Sequence, residues 1–201
     1  GLRITPFIVT LGTMSLLRGA AKGLADEQKI DADPRGIDAW MTAPANGWFP
    51  PGVWVAIIIA LIAAVLLRSS VFGRHVVAMG SNEHTARLCG VPIHRVRILV
   101  YTLAGALAGI AGILEFATLT VGDPTDSIGL ELEVIAAVVI GGASLAGGQG
   151  SIVGAMVGAL LMTEIKTGCT HIGLPNWVQE ILTGAIIVVA VALDRVRKRR
   201  D

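Results

Sequence analysis

The sequence predicts an all-α, polytopic membrane bundle with one short or re-entrant segment. Three observations predict it. Of 201 residues, 53% are hydrophobic and 15% charged, where a soluble domain carries about 25% charged residues. Apolar runs recur between polar stretches punctuated by proline and glycine, the pattern of helices that lie in lipid. Lys and Arg gather in some loops and avoid others, as in chains inserted in one orientation. The 25 glycines and the 4% of aromatic residues suit helices that approach one another closely in a bilayer.

The first apolar segment covers about 6–21. Its uninterrupted core, Phe7 to Leu17, is closed by Arg18 and Lys22. It is short for a span of about 20 residues, so a short helix within a bundle and a helix with a snorkelling basic end are both open. The stretch 24–51 crowds Asp26, Glu27, Asp31, Asp33 and Asp38 with Pro34, Pro44, Pro50 and Pro51, and reads as a water-facing loop. Trp40, Trp48, Phe49 and Trp54 suggest the headgroup level nearby. Segment 53–67 is a clear apolar run ended by Arg68. The stretch 68–97 is polar and basic, and 98–119 is the next span. A second polar loop, 122–133, holds Asp123, Pro124 and Asp126. Segment 131–141 is apolar but short, and runs into a glycine-rich turn, Gly141 to Gly150. Segment 151–166 is a span, 166–176 a third loop, and 177–193 the last span before a basic tail.

Orientation follows from Lys and Arg. The loop 68–97 has five and the tail 195–201 has five, whereas 122–133 has none. The basic loop, the tail and Arg3 are therefore expected in the cytoplasm, and 24–51 outside. Parity then requires 131–141 to cross or nearly cross. A helix of about 10 residues covers about 15 Å of a hydrocarbon core of about 30 Å. The glycine-rich turn is thus expected at membrane depth, where irregular backbone is tolerated only against protein or a water-filled cavity.

One constellation sits in the basic loop. Asn82 suits an N-cap, Glu83 the positive end of a first turn, Gly90 a left-handed stop, and Pro92 blocks continuation. These predict a two-turn helix, Glu83 to Cys89, that contains Ala86 and Arg87. By pattern alone an ordinary surface helix outranks a docking helix. Small residues form a second constellation. Gly105 and Gly109 are four apart with Gly112 beyond, and Gly150, Gly154 and Gly158 make a longer ladder. Such spacing predicts close helix contact, static or movable. With Gly141, Gly142, Gly147 and Gly148 these are the candidate packing and gating glycines. Glu115, Glu164 and Arg18 lie in or beside apolar segments. Pathway lining competes there with interfacial snorkelling or a structural ion pair; Glu115 and Arg18 are kept as possible pathway residues.

No catalytic set emerges. The glycine-rich turn lacks G-x-x-x-x-G-K-[ST] and has no Lys to reach a phosphate. Ser144 does not fit a G-x-S-x-G elbow. His75, His84, His94 and His171 show no H-E-x-x-H spacing, and Cys89 and Cys169 no metal or redox spacing. No metal site and no nucleotide site are expected. A net charge of +1 offers no field for nucleic acid. The chain has no initiator Met, and Gly1 to Pro6 lack the order of a signal peptide. It is expected to be the C-terminal part of a longer membrane domain.

Three stretches carry a family resemblance: Thr5 to Gly12 with Arg18-Gly19; Phe72 to Glu83 with Ala86-Arg87 and Gly90-Val91; and Ile135 to Gly150. Together they resemble the permease subunit of ribose/xylose/galactose-type ABC importers, the inner-membrane component of binding-protein-dependent transport. Branched-chain amino acid permeases are more distant relatives. The acidic stretch 24–51 is the least family-like part. The resemblance implies a monosaccharide passed from a periplasmic sugar-binding protein through two permease subunits, expected to be a homodimer. It implies a cytoplasmic ABC ATPase that uses ATP and Mg, with no cofactor on this chain and no enzymatic role for it. It also implies a multi-pass place in the bacterial inner membrane, among lipid, with the C-terminus in the cytoplasm. By that analogy Asn82, Glu83, Ala86, Arg87 and Gly90 form the ATPase-coupling helix. Two other readings stay open: a permease for branched-chain amino acids or another small solute, and an ion-coupled secondary transporter with Glu115 as the coupling acid.

Overall fold

The computed structural model describes residues 6–31, 33, 36–41, 49–125 and 127–198, with the side chains of 6–8, 40 and 193–198 excepted. Arg3, Thr5, Pro34, Arg35, Pro44, Trp48, Asp126 and the last three residues of the tail lie outside the described residues. Eight α-helices are present among those described: α1 (Pro6–Leu24), α2 (Pro51–Ser69), α3 (Val71–Ser81), α4 (Glu83–Leu88), α5 (Ile93–Leu119), α6 (Leu130–Ile140), α7 (Ile152–His171) and α8 (Asn176–Lys198). The all-α membrane class holds. Two strands of two residues each, β1 (Ile30–Asp31) and β2 (Val121–Gly122), are the exception.

Helix ends differ from the apolar boundaries for one physical reason. Charge ends a hydrophobic run, but long-chain charged residues are good helix formers. Helices stop where the backbone finds a cap. Thus α1 runs past Arg18 and Lys22 to Leu24. Helix α7 runs past Glu164 and Lys166 to His171, through half of the stretch read as a third loop. It ends where Gly173, at φ 76°, donates to the Thr170 carbonyl while Leu174 donates to that of Cys169. This paired closure needs a left-handed residue, and Pro175 follows it. Helix α3 is the larger departure, since the sequence pattern places 71–81 within a polar, basic stretch. Ser70 caps it by accepting from the Gly73 N–H at 3.0 Å. Gly73 is buried against the Leu66 and Leu67 carbonyls at the end of α2, where no Cβ fits.

Three helices are long and apolar enough to cross a membrane among the described residues: α2, α5 and α7. The expected segments were six. Helix α1 has the length but carries Arg18 and Lys22, and the apolar part of α8 is Asn176–Ala192. Helix α6 has 11 residues, about 16 Å by its rise.

The chain divides into two compact units. One comprises Gly1–Val53 and Ala108–Ile128. In it, β1 and β2 pair antiparallel, Ile30 opposite Gly122 and Asp31 opposite Val121. Beside this ladder Lys29 Nζ lies 3.1 Å from Asp123 Oδ2. Asp123 accepts from the Thr125 hydroxyl at 2.6 Å and from the Thr125 N–H at 2.8 Å. The hydroxyl, then the amide, then Lys29 hold its carboxyl down from 3.8 to about 2, because each favours the ionised form. A depressed folded-state value means stabilisation in force above 3.8 and lost as pH falls toward about 2. Pepsin cleavage within 24–51 is expected to accelerate across that window in the wild type. In Asp123→Asn the acceleration should vanish; an unchanged acid profile would remove Asp123 from the clasp.

The other unit comprises Trp54–Leu107 and Gly129–Asp201. Its core is small: Ala136, Ala137 and Met162, flanked by Ile140, Ile186 and Ile187, where α6, α7 and α8 meet. Many large apolar side chains elsewhere are exposed. Leu61, Ile62 and Val65 on α2 are about 60% exposed, and the most apolar stretch of α5 buries nothing. Water would penalise such faces; lipid and neighbouring helices do not.

Candidate functional site

Helix α4 is six residues long, about 9 Å, too short to persist unaided. Its ends are fixed from both sides. Asn82 lies in extended backbone at φ −154°. Its N–H donates to the Ala78 carbonyl at 3.1 Å, closing α3, and its Oδ1 accepts from the Thr85 N–H at 3.0 Å, opening α4. One residue thus caps two helices. At the far end the Gly90 N–H donates to the Arg87 carbonyl at 3.0 Å and the Val91 N–H to that of Ala86 at 3.1 Å. Gly90 has φ 81°, which a residue with a Cβ resists.

Glu83 is the hub of the site. Its carboxylate accepts from Arg97 Nη2 of α5 at 2.8 Å and faces Arg87 Nη2 at 3.6 Å. Its place in the first turn suits the helix dipole. Ala86 is 4% exposed and forms the inner face, while Arg87 and Leu88 point outward, Leu88 at 76% exposure. The sequence reading placed Asn82, Glu83, Ala86, Arg87 and Gly90 together here, and the structure gives each a distinct structural task. Arg97 carries no sequence signal beyond its charge in the basic stretch. Arg97 sits one turn into α5, and only the fold brings it to Glu83.

The candidate glycines separate into four groups. Gly141, Gly154 and Gly158 sit where α6 and α7 touch backbone to backbone. A Cβ on Gly158 would collide with the Ala137 carbonyl, and Gly141 and Gly154 oppose each other with no room for one. Ser151 caps α7 at this contact by accepting from the Gly154 N–H at 3.0 Å. Gly142 and Gly150 flank the turn, which Ser144 closes by donating its N–H to the Gln149 carbonyl at 3.1 Å. Gly147 and Gly148 meet the end of α3 at Gly80 and Ser81. The turn expected at membrane depth therefore lies level with the α3–α4 junction.

Gly105, Gly109 and Gly112 differ from the glycines of the α6–α7 contact. A Cβ on any of them meets nothing within 4 Å among the described residues. Spacing alone shows that a backbone could be approached, not that a partner is there. Of the ionisable candidates, Glu115 and Glu164 are exposed and Arg18 is half-buried and engaged. A pair that sequence reading missed is Lys166 of α7 with Glu133 of α6, at 2.8 Å. It ties the end of the α6–α7 pair opposite the turn. No group of three metal-ligating side chains exists among the described residues.

A family profile described as the permease component of branched-chain amino acid transport systems matches residues 1–191. The chain belongs to this permease family. The ribose import permease protein RbsC of Escherichia coli (strain K12) is 38% identical over 200 residues, covering 96% of this chain and 61% of the relative. The L-arabinose transport system permease protein AraH of the same strain is 35% identical over 200 residues, covering 98% and 60%. The ribose import permease protein RbsC of Bacillus subtilis (strain 168) is 35% identical over 196 residues, covering 96% and 60%. The chain thus spans about three-fifths of the length of these curated relatives. No solved structure matches it. The permease resemblance read from the sequence is borne out.

Proposed function

We propose that this protein supplies the membrane path and the mechanical coupling of an ATP-driven sugar importer. Its substrate is a monosaccharide of the ribose or arabinose kind, delivered by a periplasmic binding protein. The observation that carries the reading is identity of 35–38% to ribose and arabinose permeases along nearly the whole chain. Two copies form the path, and a cytoplasmic ABC ATPase burns ATP with Mg. Helix α4 docks into that ATPase, with Leu88 and Arg87 as its outward face and the Glu83–Arg97 pair as its anchor. The basic loop, the glycine-rich turn and the tail face the cytoplasm; 24–51 faces the periplasm. This chain binds no cofactor and performs no hydrolysis.

A second reading, uptake of branched-chain amino acids, is favoured by the description of the family profile. The test is reconstitution of the full-length permease with its ATPase and binding protein in vesicles. ATP-dependent uptake of ribose or arabinose, insensitive to collapse of the proton gradient, is the expected result. Uptake confined to branched-chain amino acids would overturn the sugar reading. Loss of uptake on collapse of the gradient at constant ATP would move the protein to the ion-coupled class and give Glu115 a role.

A further inference from the structure

Three glycines join segments far apart in the chain. A methyl group built on Gly80, in the last turn of α3, would lie 2.8 Å from the Gly148 nitrogen. One on Gly147 would lie 2.5 Å from the Gly80 carbonyl oxygen, and one on Gly148 2.8 Å from Ser81 Cα. Real Cβ atoms do not approach so closely, so here backbone rests directly on backbone. Such a contact has no rotatable side chain to absorb displacement. If one strand of the contact moves, the other must follow or a void opens, and voids in packed protein are costly.

The contact sits between two segments, each tied by its own hydrogen bonds. On one side, Asn82 follows Gly80 and Ser81 directly and caps both α3 and α4, so α4 cannot turn without disturbing the end of α3. On the other, the turn is closed by its own hydrogen bonds and leads straight into the Gly141–Gly154 and Ala137–Gly158 contacts. We propose that Gly80, seated on Gly147 and Gly148, is a positioning residue that carries displacement of α4 into the α6–α7 pair during transport. This rests on the coupling role assigned to α4 above.

The test uses the full-length permease with its ATPase and binding protein in vesicles, comparing wild type, Gly80→Ala and Gly168→Ala. A methyl on Gly168 meets nothing within 4 Å, so that variant controls for adding a methyl to a helix. Expected for Gly80→Ala is ATPase co-purification and ATP hydrolysis retained, with sugar uptake lowered about ten-fold. ATP consumed per sugar imported then rises, which a merely structural defect would not produce. Wild-type uptake by Gly80→Ala overturns the proposal while leaving α4 coupling intact. Failure of the wild type to import sugar with ATP sinks the functional reading and this proposal with it. Should Gly80→Ala not assemble, hydrogen exchange on the wild-type complex decides. Amides of 80–82 and 144–149 are expected to change protection together between nucleotide-free and nucleotide-trapped states. A change in one stretch alone, or in neither, overturns the proposal.

Discussion

Reversing the charge of Glu83 is expected to abolish ATP-driven uptake while the permease stays inserted and folded. The two halves of that result follow from different magnitudes. Glu83 makes exposed ion pairs, with its side chain 45% accessible and Arg97 and Arg87 more so. Pairs of this kind contribute about 1 kcal/mol or less, too little to unfold a bundle. The core around Ala136, Ala137 and Met162 does not include them. Locally the change is severe. Glu83→Arg sets a guanidinium against those of Arg97 and Arg87 and puts positive charge at the positive end of α4. A helix of six residues has no reserve of its own, so its orientation on α5 is lost. A loss of uptake of roughly 100-fold is expected, the upper range of coupling between sites. Uptake and ATPase co-purification are measured together in vesicles, with the insertion level read by surface labelling. Normal uptake by Glu83→Arg would detach α4 from coupling altogether.

The largest effect on stability is expected at Gly158. Its missing Cβ is the space that the Ala137 carbonyl occupies, and Ala137 is itself 5% exposed. Neither partner has a flexible side chain to yield. Gly158→Val must push α7 away from α6, which strips contacts from Met162 and Ala136 alongside. Overpacking of a tight core costs about 1–3 kcal/mol and more where backbone must shift. The α6–α7–α8 cluster is the unit's main core, so detergent-solubilised Gly158→Val should lose its monodisperse peak and melt earlier. Gly105→Val, with open space around it in this chain, is the comparison. Equal thermal stability of Gly158→Val and wild type would refute the α6–α7 contact. A comparable loss at Gly105 would instead reveal that residues beyond this chain cover α5.

Local chemistry made α4 readable before any fold was known. A cap, a first-turn acid, a left-handed stop and a proline are all properties of neighbouring residues, so Asn82, Glu83, Gly90 and Pro92 announced it. The same signals were present for α3 in Ser70 and for the end of α7 in Gly173 and Pro175. There, basic residues and charges mask the helical signal, because charge ends apolarity and not helicity. The β1–β2 ladder, the Glu83–Arg97 and Glu133–Lys166 pairs and the seat of Gly80 join residues distant in sequence, and nothing local marks them.

The sequence by itself determined the solvent, the class and the family: too few charges for water, apolar runs of helical length, and three family-like stretches. It also determined which glycines could allow close approach. Only the tertiary structure decided which of them do. Gly141, Gly154 and Gly158 touch another backbone, whereas among the described residues nothing lies within 4 Å of a Cβ on Gly105 or Gly109, and Gly80 belongs to a polar stretch with no packing signal. The physical reason is that a glycine records the absence of a Cβ, while contact depends on a second segment whose position no local pattern encodes.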